Sequence, residues 1–159
     1  MCAIAAKGRS YNAGMISLIQ RVSHASVAVD GDTIGAIGPG LLALVAVEPG
    51  DGDAQVERMA RRLLGYRVFA DERGRMNRSL SETGGGLLLV SQFTLAADTG
   101  SGMRPGFSTA MAPAEAERIF DNLLAKCREL HPGVETGRFG AHMVISLAND
   151  GPVTFLLRA

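Results

Sequence analysis

The sequence predicts an α+β domain in which stacked β-sheets carry two helices on one side. Three observations predict it. Most apolar runs are short, and two of them, residues 41–47 (LLALVAV) and 87–90 (LLLV), are continuous rather than alternating. That is the pattern of strands buried on both faces. Only two segments repeat apolar residues at spacings of three and four, as amphipathic helices do. Asp30-Gly31, between two β-like runs, is a type I′ hairpin signal. With so few helices, part of a sheet face is left uncovered, which favours a dimer.

Taken in order, residues 15–22 (MISLIQRV) read as the first strand, and residues 26–29 continue it or pair back. Arg21 lies inside this apolar stretch. A buried guanidinium needs carbonyl or carboxylate acceptors, whereas an exposed strand face makes no such demand. Gly38-Pro39-Gly40 is a turn before the strand at 41–47, which Glu48-Pro49-Gly50-Asp51-Gly52 ends. Asp53 caps a helix to about Leu64, with Val56, Met59, Ala60, Leu63 and Leu64 on its apolar side. Residues 66–69 read as a short strand and 71–75 as a polar turn. Gly84-Gly85-Gly86 leads into the strand that ends in Ser91-Gln92-Phe93-Thr94. These glycines lack the Lys-Ser/Thr and the following helix of a phosphate cradle.

Pro113 opens the second helix at its favoured first position. Its apolar stripe is Ala116, Ile119, Phe120, Leu123, Leu124, Cys127 and Leu130. His131-Pro132-Gly133 stops it, and His131 is expected to be exposed there. Two last strands, residues 143–147 and 153–157, flank Asn149-Asp150-Gly151-Pro152. Residues 1–14 read as an N-terminal extension, and 15–159 as one domain.

Composition narrows the function classes. Apolar residues make up 47% of 159, enough for one globular core. Net charge is zero, so any nucleic-acid contact must be a local patch. Between Glu57 and Arg78 stand seven arginines against three acids; this is either a solvated face or such a patch. Cys2 and Cys127 show no zinc or disulfide spacing, which suits a reducing, cytoplasmic setting. No apolar run reaches the roughly 18 residues of a membrane span, so no membrane partner is expected, nor any metal or other cofactor.

Standard catalytic sets are missing. There is no GxSxG elbow and no HExxH, and His24, His131 and His142 are scattered. An enzyme built this way works by positioning and by hydrogen-bond donors aimed at developing charge. Ser91, Gln92 and Thr94 end a buried strand, where they must either be satisfied inside the fold or face a ligand. Gly151-Pro152 permits unusual backbone geometry, including a cis bond, although an ordinary turn is equally compatible with the residues.

SQFTL (residues 91–95) and NDGPVT (149–154) together resemble the signature pair of the D-aminoacyl-tRNA deacylases. IQRV (19–22), IGPGLL (37–42), MNRSL (76–80), RPGF (104–107) and TGRFGAHM (136–143) stand in that family's order and approximate spacing. The resemblance covers residues 15–159, with Gly106 where Ser is common and His142 where Asp is common.

This resemblance implies hydrolysis of the ester joining a D-amino acid, or glycine, to the 3′-terminal adenosine of tRNA, a quality-control step of translation. It implies a homodimer with active sites at the subunit interface. Ser91, Gln92, Phe93 and Thr94 would frame the ester, with N–H groups near Phe93 and Thr94 as the oxyanion hole. Phe139, Gly140, Ala141 and Met143 would border the adenine. Gly151-Pro152, with a cis bond and held by Arg21, would exclude L-amino acids from the partner's site. Either the Thr94 hydroxyl or the terminal 2′-OH assists the attack, and the lack of a base beside Thr94 favours the 2′-OH. A non-catalytic tRNA-binding module of the same fold is the alternative, and an esterase for small aminoacyl esters a third.

Overall fold

The computed structural model describes residues 14–108 and 110–159. The extension expected over residues 1–14, with Cys2, therefore lies outside the described residues except for Gly14. That residue is buried, and its N–H donates to Glu48 Oε2 at 2.7 Å. Met15 N–H donates to Asp51 Oδ1 at 3.0 Å. Burial holds the Asp51 carboxyl above its ordinary pKa, against the opposing pull of hydrogen bonds from the Glu48 and Met15 N–H groups.

The organising strand is β1 (Ile16–Val29), so residues 15–22 and 26–29 form one continuous element rather than two. Its first half pairs with β3 (Gly40–Ala46), and its second half pairs with β2 (Asp32–Ile37) through the Asp30-Gly31 turn. Both turn residues have positive φ, 50° and 83°, as a type I′ hairpin requires. The other edge of β1 carries β8 (Val144–Arg158) along nearly its whole length. The two strands expected at 143–147 and 153–157 are thus one long strand interrupted by the Gly-Pro turn.

β6 (Gly86–Ser91) lies parallel to β3, and β7 (Val134–Thr136), which the sequence did not single out, lies parallel to β6. The path runs β2-β1-β3-β6-β7, with β8 attached to β1. The stacked layers are two parts of this one curved sheet. Its ends nearly meet: a Cβ built on Gly35 of β2 would stand 2.8 Å from the Thr136 carbonyl oxygen of β7.

The continuous apolar strands are buried on both faces. Leu41, Ala43 and Val45 of β3, with Leu87 and Leu89 of β6, face the helices α1 (Asp53–Gly65) and, later in the chain, the helix from Pro113 to Leu130. Leu42, Leu88 and Val90 face a second core with Val22, Ala25 and Val27, closed by Ile34, Met143 and Ile145. All five expected α1 residues are buried. Its cap is Gly52, whose N–H donates to the Gln55 side chain at 2.9 Å. Asp53 sits one residue inside, where its charge favours the helix N-terminus.

The segment expected as a strand at 66–69 shrinks to β4 (Phe69–Ala70), paired with β5 (Met76–Arg78). A short α2 (Leu80–Thr83) follows, with Ser79 and Glu82 forming a reciprocal cap. The long C-terminal helix (Pro113–Leu130), α3, buries Ile119, Phe120, Leu123 and Cys127. Burial pushes the Cys127 thiol up to about 12. Two expectations at its end reverse. Leu130 is half exposed, and His131 is buried with Nε2 2.7 Å from the Gly85 carbonyl oxygen. The chain turns back on the sheet at His131, so the ring replaces Leu130 as the inward side chain.

Of the triple glycine, Gly84, at φ +70°, caps α2, while Gly85 and Gly86 are packing positions. Gly40 and Gly86 face each other across β3 and β6, and a Cβ on Gly40 would overlap the backbone of Gly86. Gly38, two residues earlier, has open space around its Cα. Gly40→Ala is therefore expected to cost about 1–3 kcal/mol or more through overpacking, and Gly38→Ala under about 0.5 kcal/mol. Urea unfolding of the two variants checks this.

Candidate active site

At the C-terminal ends of β3 and β6 the sheet opens into a cleft of about 480 Å³. Ser91 stands at the end of β6, and the chain then tightens into a 3₁₀ turn, Phe93–Ala96. Gln92 N–H donates to the Val45 carbonyl at 2.7 Å, continuing the parallel ladder by one residue. The Gln92 side-chain amide donates to the Thr94 hydroxyl. The 3₁₀ turn's first bond runs from Leu95 N–H to the Gln92 carbonyl. The N–H groups of Phe93 and Thr94 precede it and have no acceptor within the turn.

Phe93 is 65% exposed and tilts against Phe107, ring centroids 5.3 Å apart. The two rings form one wall. Phe139 forms another, tilted against Phe120 of α3 at 6.1 Å. Gly140, at φ +76°, turns the chain beside it. Val45, Val47, Met111 and Ala116 complete an apolar floor.

Of the residues singled out from the sequence, Ser91, Phe93, Phe139 and Gly140 thus line one cleft. Gln92 and Thr94 adjoin it through their mutual bond. Ala141 lies in the adjoining turn, its N–H donating to the Arg138 carbonyl at 3.2 Å. Met143 packs against the second core instead, its sulfur beside Gly137. Phe107, Met111 and Phe120 line the cleft without having been singled out as site residues; Phe120 had been read as core and Phe107 only as part of RPGF. Among the described residues, no three His, Cys, Asp or Glu side chains group to hold a metal ion. No helix of the described residues is long and apolar enough to cross a membrane.

The Gly151-Pro152 element lies elsewhere. Between Gln20↔Thr154 and Val22↔Asn149, Arg21 alone on β1 faces residues 150–153 of β8, so these residues loop out. The Gly151-Pro152 bond is cis, and both residues are exposed. Arg21 is half-buried and finds carbonyl acceptors: Nε donates to the Asp150 carbonyl at 2.8 Å and Nη1 to the Val68 carbonyl at 2.7 Å. The Asp150 carboxylate lies 3.6 Å from Nε. From within β8, Asn149 accepts from Val153 N–H at 2.7 Å and donates to the Thr154 hydroxyl at 3.0 Å.

Register gives the distance between the two elements. Ser91 pairs with Val45, and Val45 with Ser17. Asn149 pairs with Val22, five positions further along β1. That is about 17 Å along the strands and about 14 Å across three strand spacings, β6 to β3, β3 to β1 and β1 to β8. The turn and the cleft of one chain are not one site.

Arg21→Met removes donors from two carbonyls and is expected to cost about 1.5–3 kcal/mol. It should also speed hydrogen exchange at Val153, whose amide belongs to the clamped turn. Unchanged exchange there would show that the guanidinium does not hold the turn.

Comparison with known proteins gives a consistent answer. The chain is 74% identical to a D-aminoacyl-tRNA deacylase of Stenotrophomonas maltophilia (strain K279a), over 91% of this chain and 99% of that one. It is 72% identical to a D-aminoacyl-tRNA deacylase of Xanthomonas campestris pv. campestris (strain 8004), with the same coverage. Among solved structures, a c-Myc DNA unwinding element binding protein superposes with TM-score 0.86 at 37% identity, covering 91% of this chain and 98% of that one. A probable eukaryotic D-amino acid tRNA deacylase shares the fold, with TM-score 0.77 at 16% identity, over 91% of this chain and 99% of that one. The model of the D-Tyr-tRNA(Tyr) deacylase family matches residues 18–158, and with its fold and near-complete relatives the chain belongs to that family.

Proposed function

We propose that this protein hydrolyses the ester of D-aminoacyl-tRNA, and of glycyl-tRNA, releasing the amino acid and intact tRNA in translation quality control. The observation that carries this reading is the cleft where Ser91 and Phe93 meet Phe139 and Gly140. An apolar, aromatic-walled cleft of this size suits a terminal adenosine, whose base stacks on aromatic rings. Among the described residues the N–H groups of Phe93 and Thr94 have no acceptor, and they follow Ser91 by two and three positions. They would donate to the oxyanion that forms when the ester carbonyl becomes tetrahedral.

Water supplies the hydroxyl. The bond from the carbonyl carbon to the ribose 3′ oxygen breaks, and that oxygen takes up the proton. Thr94 already accepts a hydrogen bond from Gln92, and no histidine or lysine stands in its hydrogen bonds. A hydroxyl so placed is a weak nucleophile. The 2′-OH of the substrate's own ribose is the better assistant. Thr94→Ala is then expected to keep kcat within about tenfold of wild type, whereas a lost nucleophile costs several orders of magnitude. Single-turnover rates with normal and 2′-deoxy-terminated tRNA distinguish the two.

The separation of turn and cleft supports a shared site between two copies. Exposed Val144, Leu147, Phe155 and Leu156 on β8 offer an apolar surface for that pairing. Gly151-Pro152 of one subunit would then enter the other's cleft and crowd out an L side chain. Rejection needs only a rigid obstacle, not contacts to the accepted D side chain.

Gly151 has φ +156°, and an added Cβ would meet Val153 Cγ2 at 2.6 Å. Wild type is expected to release D-Tyr from tRNA and leave L-Tyr-tRNA intact. Gly151→Ala is expected to lose rate by tenfold or more, or to lose discrimination. Equal rates of the variant and wild type on both enantiomers would remove the turn from the mechanism. Binding of tRNA without release of either amino acid would favour the non-catalytic module.

A further inference from the structure

The arginine face of α1 is a second concave surface, which the cleft chemistry does not use. Ala54, Glu57, Arg58, Arg61, Arg62, Gly65 and Tyr66 line an open groove of about 580 Å³. Their spacing puts them on one side of the helix, a stripe about 18 Å long. Its charge is one-sided. The only carboxylate in the groove, Glu57, is already paired with Lys126 at 2.7 Å and with Arg61 at 3.8 Å. Arg58 and Arg62 have no carboxylate within reach among the described residues, and Arg62 Nε is buried without an acceptor. The Arg62 guanidinium stands 5.7 Å from the Tyr66 ring centroid.

The groove's far end adjoins the turn half of the proposed site. At its end Tyr66 packs edge-on against Phe155 of β8 at 5.8 Å. Two residues further on, the Val68 carbonyl takes the Arg21 bond that ties this end to the Gly151-Pro152 turn. The stripe therefore ends at the base of the Gly151-Pro152 turn, which on the proposed reading enters the cleft of the second copy.

We infer that this groove binds the phosphate backbone of the RNA strand that leads to the terminal adenosine. Guanidinium forks match phosphate oxygens, and an aromatic ring beside them offers a stacking face for an unpaired base. The inference rests on the deacylase reading for the identity of the RNA. The groove gives affinity for the tRNA body, while the cleft alone handles the ester.

The test uses Arg58→Gln/Arg61→Gln, both exposed side chains, with Arg58→Lys/Arg61→Lys as the charge-retaining control. Equilibrium binding of deacylated tRNA is titrated with salt. The Gln variant is expected to bind about tenfold more weakly, with a log–log salt slope shallower by about 1.4–2, and the Lys variant to recover most of both. In parallel, kcat/KM is measured on D-Tyr-tRNA and on 3′-O-(D-tyrosyl)adenosine. The ratio of the two is expected to fall about tenfold in the Gln variant. Unchanged tRNA affinity and salt slope would overturn the inference, as would an equal loss on both substrates. Failure of wild type to hydrolyse either substrate would count against the deacylase reading, while the binding titration would still decide the groove.

Discussion

Everything in this molecule is measured from β1. It is hydrogen-bonded along both edges, to β2 and β3 on one side and to β8 on the other. A strand paired on both edges leaves its neighbours no freedom of register, because a one-residue slip would turn every side chain to the wrong face. That constraint places Val45, and through it Ser91, at one end of the sheet. It places Asn149 and the bulged turn five positions away. Between β1 and β8 the register shifts on both sides of Val22, and opposite Arg21 the guanidinium takes over as donor to the Asp150 carbonyl. The turn is therefore held by a side chain whose own position is fixed by the most constrained strand in the fold.

Much of this was legible in the sequence where a single physical rule dominates. The unbroken LLLV and LLALVAV runs announced strands with two buried faces, and two separate cores are what they bury. The helix stripes at 3–4 spacing located α1 and α3. Arg21 in an apolar run posed the question of its acceptors, and the two carbonyls answer it. The misses come where tertiary context outweighs the local pattern. Leu130 continues the α3 stripe by spacing, yet His131 takes the inward position because it reaches the Gly85 carbonyl. The Gly84–86 run has the composition of a flexible connector, but Gly84 is the left-handed cap of α2 and Gly85 and Gly86 serve close approach to the β2–β3 turn and β3. β7 spans three residues, too short for any periodicity to reveal.

The site divides along the same line. SQFTL and NDGPVT carry unusual residue orders, so they stood out. The cleft's apolar wall did not, because Phe120 and Ala116 obey the same helical spacing as core residues. A residue that packs the core and a residue that walls a cleft differ only in what occupies the space opposite. Met143 shows the converse. It falls within a motif-bearing stretch, yet just ahead of β8 its side chain packs on the second core and does not line the cleft.

The division of labour follows from what a site without a general base has to do. On the proposed reading its rate comes from fixed donors and its selectivity from an excluded wrong substrate, and both demand rigidity more than reactivity. Backbone groups meet that demand better than side chains, because they have no rotamers to lose. The Phe93 and Thr94 N–H groups are set by the last hydrogen bond of the β6 ladder, from Gln92 to Val45. The turn carbonyls are set by Arg21 and Asn149. Apart from the Arg21 clamp, guanidinium charge gathers on the outer face of α1. A mobile, salt-sensitive guanidinium suits a long polyanion, whereas Arg21 is pinned by two carbonyls. On the reading proposed for this protein, affinity and discrimination are thus handled by different chemistry on different elements, joined where Val68 meets Arg21.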